Sequence, residues 1–271
     1  MGVLNVTPDS FSDGGRFRSV AEAVEAGLRQ LEDGADVVDV GGESTRPGGA
    51  ARVDAAEEIR RVVPVVRGLR EAGTGGGFIS VDTTKAAVAR ECLDAGADLV
   101  NDVSGFRFDP GLAALVAERG VPAVLMHLRG GFDTMHQAPR YDDVAGEVAR
   151  ELRESLAAAG RQGVRAEQVL LDPGLGFAKE AGHSLELLAR LPELAALGRP
   201  LLLGPSRKSF IGKVLDLPVG ERLMGTAAAV AACVLGGAHV LRVHDVREMA
   251  QVARLCDAIL AAAPVREEAL P

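Results

Sequence analysis

The segment FISVDTTKAAVARECLDAGADLVN, residues 78–101, decides how the rest of the chain is read. It opens on a short run rich in β-branched and aromatic residues, Phe78–Val81. It then passes into Thr84–Ala95, where small and apolar side chains recur at helical spacing among charged ones, and ends in a second strand-like run, Leu99–Asn101. Between helix and second strand, Ala95-Gly96-Ala97-Asp98 carries the glycine that closes a helix in the left-handed conformation. Two strands separated by one helix make a βα repeat, and such repeats build a parallel sheet.

Outward from this unit the same alternation recurs until eight strand runs are found: Val3–Val6, Val37–Val40, Phe78–Val81, Leu99–Asn101, Ala123–Met126, Val169–Leu171, Leu201–Leu203 and Val240–Val243. Helices are expected at Ser19–Glu32, Asp54–Arg70, Thr84–Ala95, Gly111–Arg119, Asp143–Ala159, Ser184–Leu197, Glu221–Leu235 and Val246–Ala262. Pro64 should kink or break the second of these. The Gly-rich Gly73–Gly77 is a loop, and no low-complexity linker divides the chain. The pattern predicts α/β architecture in a single (β/α)8 TIM barrel spanning residues 1–271, a length that one such domain commonly takes.

Composition narrows the function. With 47% apolar and 25% charged residues the chain is an ordinary globular sequence, neither disordered nor collagenous. A net charge of −8 argues against general nucleic-acid binding, so any phosphate chemistry belongs in a local pocket. The longest apolar stretch, Thr226 to Ala238, is too short to span a bilayer, and Met1 to Ser10 does not resemble a secretion signal, so a cytoplasmic protein is expected. Cys92, Cys233 and Cys256 lie far apart in apolar helical stretches and read as buried, reduced thiols. Asparagine occurs only at Asn5 and Asn101, and lysine only at Lys85, Lys179, Lys208 and Lys213, against 26 arginines.

A barrel carries its chemistry at the C-terminal ends of its strands. Here those ends are polar throughout: Asn5; Glu43, Ser44, Thr45 and Arg46; Asp82; Asn101 and Asp102; His127; Asp172; Ser206-Arg207-Lys208-Ser209; Arg242 and His244. Segments leading into the strands are mostly Gly, Ala, Pro and Val. For Asp102 and Asp109 a capping role is the preferred reading. Asp82, Asn101 and Asp172 suit a ligand edge presenting several N–H donors, such as an amino-pyrimidinone ring. Arg46, Lys208, Arg242 and His244 suit a phosphate or carboxylate. No HExxH, CxxC or carboxylate cluster indicates a permanent metal. Asn5 is a weak Mg²⁺ ligand by itself, and suffices only for a cation that arrives on a substrate diphosphate. Two glycine-rich loops, after strands one and two, carry Phe11 and Arg46 as closing lids do.

These residues are similar to those of the dihydropteroate synthases. The likeness runs from Asn5-Val6-Thr7-Pro8-Asp9-Ser10-Phe11-Ser12-Asp13-Gly14-Gly15 and Gly41-Gly42-Glu43-Ser44-Thr45-Arg46-Pro47-Gly48 through Ser80-Val81-Asp82-Thr83 and Asn101-Asp102-Val103-Ser104-Gly105. It continues in Leu125-Met126-His127, Asp172-Pro173-Gly174-Leu175-Gly176-Phe177-Ala178-Lys179, Ser206-Arg207-Lys208-Ser209 and Arg242-Val243-His244-Asp245. The family usually has a short segment ahead of strand one, whereas this sequence begins at the strand itself. The resemblance implies a pterin pocket of Asp82, Asn101, Val103, Met126, Asp172, Phe177, Gly204, Lys208 and Arg242. It also implies a 4-aminobenzoate site of Phe11, Thr45, Arg46, Pro47 and Ser209, and a diphosphate site of Asn5, Arg46, Arg242 and His244, with Asn5 toward Mg²⁺. Asp82, Lys208, Arg242 and His244 would carry the catalysis. The implied reaction joins a pterin diphosphate to 4-aminobenzoate in folate biosynthesis, with sulfonamide-type analogues competing, in a homodimer without nucleic-acid or membrane partners.

Two alternatives share the barrel: a pterin-dependent methyltransferase serving a corrinoid protein, and a barrel that keeps the pocket without turnover. The Ser-Thr-Arg-Pro loop and the Ser-Arg-Lys-Ser segment favour the synthase, since methyl transfer requires neither.

Overall fold

The computed structural model describes residues 1–6, 19–43, 53–131, 134–135 and 139–262. Its strands are β1 (Gly2–Asn5), β2 (Val37–Gly41), β3 (Phe78–Asp82), β4 (Leu99–Asp102), β5 (Ala123–Met126), β6 (Val169–Asp172), β7 (Leu202–Leu203) and β8 (Val240–Leu241). β1 to β6 form one sheet in sequence order, and β7 pairs with β8, all in parallel. Two parallel bridges join the sheets end to end, Leu171 with Leu201 and Gly2 with Val243. Backbone bonds secure both joints: Leu171 N donates to Pro200 O at 2.9 Å, and Val3 N to Val243 O at 3.0 Å. The sheet therefore closes on itself as a TIM barrel.

Helices cover the outside. Ser19, Asp54, Asp109 and Asp143 start four of them by accepting from Glu22, Glu57, Gly111 and Gly146 backbone N–H groups, each such cap contributing about 1 kcal/mol. The helix Ala55–Ala72 runs on through Pro64, so the proline does not break it. Val62, Val63, Val65, Val66 and Leu69 bury its inner face, and that packing outweighs one missing backbone bond. The single helix expected over Ser184–Leu197 is two, Ala181–Ala189 and Leu191–Ala195, divided at Arg190 because Pro192 cannot continue the hydrogen-bond ladder. A helix not foreseen, Ser209–Leu215, precedes Leu223–Leu235. Among the described residues no helix is long and apolar enough to cross a membrane.

The barrel interior changes character along its axis. A cluster of Leu99, Val124 and Leu202, packed with Met1, Val37, Leu170 and Val240, draws on seven of the strands or their ends and fills the lower interior. Side chains alternate across a strand, so residues two further on face the same interior. Those residues are Val3, Asp39, Asn101, Met126, Asp172, Gly204 and Arg242. One step of two residues thus sets a floor carrying Asp39, Asn101, Asp172 and Arg242 above an apolar plug.

Candidate active site

β2, β3 and β4 form an acidic and amide wall. Register sets Gly41 beside Asp82 and Asp82 beside Asn101. From β8, Arg242 reaches across to this wall: its Nε donates to Asp39 Oδ2 at 2.6 Å and its terminal nitrogen to Asp82 Oδ2 at 2.7 Å. Asn101 Nδ2 donates to the same Asp39 oxygen at 2.9 Å. Burial pushes the Asp82 carboxyl up to about 7 against the pull of Arg242, with Asp39 adding to the rise. Burial also works against the Arg242 charge, but Asp39 and Asp82 outweigh it and hold the guanidinium protonated. Gly41 has no side chain where Asp82 Oδ2 and Asn5 Oδ1 approach: a methyl there would stand 3.5 Å from the first and 3.6 Å from the second. Asn5 therefore flanks the same wall.

Asp172 ends β6 opposite. Its Oδ1 accepts from Gly174 N at 2.7 Å, and burial raises its pKa while that bond and the nearby Lys208, Lys179 and Arg242 lower it. Gly174 adopts φ 70°, and a Cβ there would lie 2.2 Å from the His127 carbonyl oxygen, so only glycine permits this turn. Beyond it, Lys208 Nζ stands 4.1 Å from the centre of the Phe177 ring. Val103, Met126, Leu128, Met135 and Ala178 form an apolar cluster against which Phe177 and Phe108 pack. Gly204 leaves the space near Arg242 open, a Cβ there being 3.9 Å from Arg242 Cβ.

The segment after β7 is tied to the one after β8. The Ser206 hydroxyl accepts from His244 N at 3.2 Å and meets the His244 ring at Nδ1, 3.0 Å away. Arg207, with φ 57°, binds both carboxylate oxygens of Asp245, and Arg222 donates to the Arg207 carbonyl at 3.1 Å. Ser209 opens the helix that follows. Lys208 and His244 are thus carried on braced backbone, which lowers the cost of orienting them.

The sequence-predicted residues Asn5, Asp82, Asn101, Val103, Met126, Asp172, Phe177, Gly204, Lys208, Ser209, Arg242 and His244 lie at the strand C-terminal ends or in the segments just beyond. Phe11, Thr45, Arg46 and Pro47 lie outside the described residues. Asp102 does not face the ligand side: it accepts from Ser104 N and Oγ and from Phe106 N, so it caps its own turn. Asp109 caps the helix Pro110–Arg119. Asp109 agrees with the helix-capping reading, whereas Asp102 holds a turn instead of the following helix.

Two buried groups escaped sequence reading. Asp39 is one, and its signal was a carboxylate inside the apolar run Val37-Val38-Asp39-Val40. Lys179 is the other, and it belongs to the scarce lysines. Its Nζ donates to His127 Nδ1 at 2.8 Å and to the Phe177 carbonyl at 3.1 Å. Burial lowers Lys179 to about 7, and burial with Lys179 lowers His127 to about 4, so the imidazole is neutral and its Nε2–H donates to Glu151 at 2.9 Å. Lys85 pairs with Glu43 and Glu58 at 2.5 Å each, bracing the base of the loop after β2.

Residues 1–244 match the family described as pterin binding enzyme. A dihydropteroate synthase of Synechocystis is 48% identical over 260 residues, covering 96% of this chain and 89% of that one. Among solved structures, the Yersinia pestis dihydropteroate synthase in a sulfonamide drug complex superposes with a TM-score of 0.91 at 42% identity, over 97% of this chain and 94% of that one. The Xanthomonas albilineans dihydropteroate synthase with 4-aminobenzoic acid gives 0.89 at 45% identity, over 97% and 93%. Similarity at this level extends over the strands that carry every described site residue, and the chain belongs to the pterin-binding enzymes, in their dihydropteroate synthase branch, as a transferase.

Proposed function

We propose that the chain joins 6-hydroxymethyl-7,8-dihydropterin diphosphate to 4-aminobenzoate, giving 7,8-dihydropteroate and diphosphate. The observation that carries this reading is the facing of two walls: carboxylates and an amide on β2, β3, β4 and β6, cations on the β7 and β8 side. Asp82, Asn101 and Asp172 accept from the pterin's N–H edge, and Lys208 meets its carbonyl side. Val103, Met126 and Phe177 enclose its faces. Phe11, Thr45, Arg46, Pro47 and Ser209 take 4-aminobenzoate, and Asn5, Arg46, Arg242 and His244 take the diphosphate.

Chemistry follows from charge. The bond from the exocyclic methylene to the diphosphate oxygen breaks with its electron pair leaving on diphosphate, and positive charge develops on the pterin, which Asp82 and Asp172 favour. Arg242 and His244 meet the departing anion. The aniline nitrogen then forms the new C–N bond and gives up a proton. No covalent nucleophile is required.

Among the described residues no group of three or more carboxylate, His or Cys side chains is arranged to hold a metal ion. The Asn5 oxygen beside Asp82 fits a Mg²⁺ that keeps its waters and leans on the diphosphate. When bound there, Mg²⁺ neutralises charge on the leaving group.

Residues 1–271 are read as one pterin-binding domain, and sulfonamides as competitors for the 4-aminobenzoate site. Leu235, Leu255, Ile259 and Leu260 are exposed on the helices Leu223–Leu235 and Val246–Ala262. That apolar surface suits a homodimer. Cys92, Cys233 and Cys256 are buried free thiols, which suits a reducing cytoplasm. Purified protein given the pterin diphosphate, 4-aminobenzoate and Mg²⁺ should release 7,8-dihydropteroate. Absence of product with both substrates saturating would overturn the reading.

A further inference from the structure

Among the described residues, one charged side chain of the barrel interior has only site residues as hydrogen-bond partners. Asp39 is fully buried in the middle of β2. Its Oδ2 takes two donors, Arg242 Nε at 2.6 Å and Asn101 Nδ2 at 2.9 Å, while its Oδ1 has no partner among the described residues. Ser80, its register neighbour on β3, has a hydroxyl in the same condition. A buried carboxylate with an unsatisfied oxygen costs folding free energy, and an apolar residue there would extend the plug below it. Fold stability therefore does not account for Asp39.

Its geometry does something else. A carboxylate accepts and never donates, so Asp39 fixes Asn101 with its nitrogen inward and its carbonyl at the other end. It also holds Arg242 by one edge, leaving the other on Asp82 at 2.7 Å. Arg242 occupies Asp82 Oδ2, so a ligand N–H directed at that oxygen competes with it. Of the two arginine bonds, the one to Asp82 is the cheaper to open. Opening the Asp39 bond would leave a carboxylate with no exposure at all holding only the Asn101 donor, whereas Asp82 is 9% exposed and would exchange one donor for another.

We propose that Asp39 is a positioning residue: when a pterin takes Asp82, Arg242 releases Asp82 and turns about its Nε–H bond to Asp39, while Asn101 keeps its orientation. This rests on the reading of Asp82 as the ligand-binding carboxylate.

The bond is observable without turnover. In ¹⁵N-labelled protein the Arg242 Nε–H resonance, identified by its loss in Arg242→Lys, should exchange slowly and should persist when the pterin diphosphate saturates the site. Its disappearance on binding would overturn the pivot. Asp39→Asn should speed that exchange and lower kcat about 10- to 100-fold, with a melting temperature unchanged or raised. Wild-type kcat in Asp39→Asn would overturn the proposal alone, because the wild-type assay would still support the synthase reading. Activity and melting temperature falling together, or failure to fold, would make Asp39 structural and overturn it as well. If the pterin shifts no resonance of the wild-type protein, the functional reading fails and the pivot with it.

Discussion

The lower and upper halves of the barrel interior are built on the same strands, two residues apart, and obey opposite rules. Below, Leu99, Val124 and Leu202 close-pack with Met1, Val37, Leu170 and Val240, and every contact favours the folded state. Above, Asp39, Asp82, Asn101, Asp172 and Arg242 bring charge out of water, with two buried oxygens, Asp39 Oδ1 and Ser80 Oγ, left without partners among the described residues. The contrast teaches that the plug bears the stability and the floor spends it on a preorganised ligand site.

Leu202→Ala is the strongest way to break this division. It should lower unfolding free energy by about 2–5 kcal/mol in denaturant titration, through lost burial and an unfilled cavity, and leave pterin affinity unaltered. Equal loss of affinity would mean that plug and floor are one mechanical unit.

Asp172→Asn probes the other half. Pterin binding measured by calorimetry should weaken by about 1.5–3 kcal/mol, because a charge-assisted bond to a buried donor edge is lost. An unchanged affinity removes Asp172 from the pocket.

A pH dependence tests the same floor through its charge. Burial lifts Asp82 from an ordinary 3.8 to about 7, so between those values the folded chain keeps a proton that the unfolded chain releases. Its contribution to stability is therefore fully present below about pH 4 and is lost as pH rises through about 7. The stability of Asp82→Asn relative to wild type should rise from pH 5 to pH 8. A difference independent of pH would place the Asp82 carboxyl in the usual range.

Much of the fold was legible because strand and helix periodicities are local, and glycines such as Gly34 and Gly96, both with positive φ, mark the turns. Pro64 does not break its helix because a local penalty lost to the burial of five apolar neighbours there. The site was legible at strand ends, where polar residues have no role in the plug. Asp39 was not, since its meaning lies in Arg242, 203 residues away. Lys179 was equally opaque until His127 stood beside it.

By itself the order of residues determined the count of strands, their parallel direction and the chemistry of their tips, because each follows from spacing and side-chain type over a few turns of chain. Tertiary structure alone decided that β8 returns to β1 and thereby sets Arg242 against Asp39 and Asp82. Ring closure is a property of the whole chain, and burial, which fixes the charge states of those groups, exists only once the ring has closed.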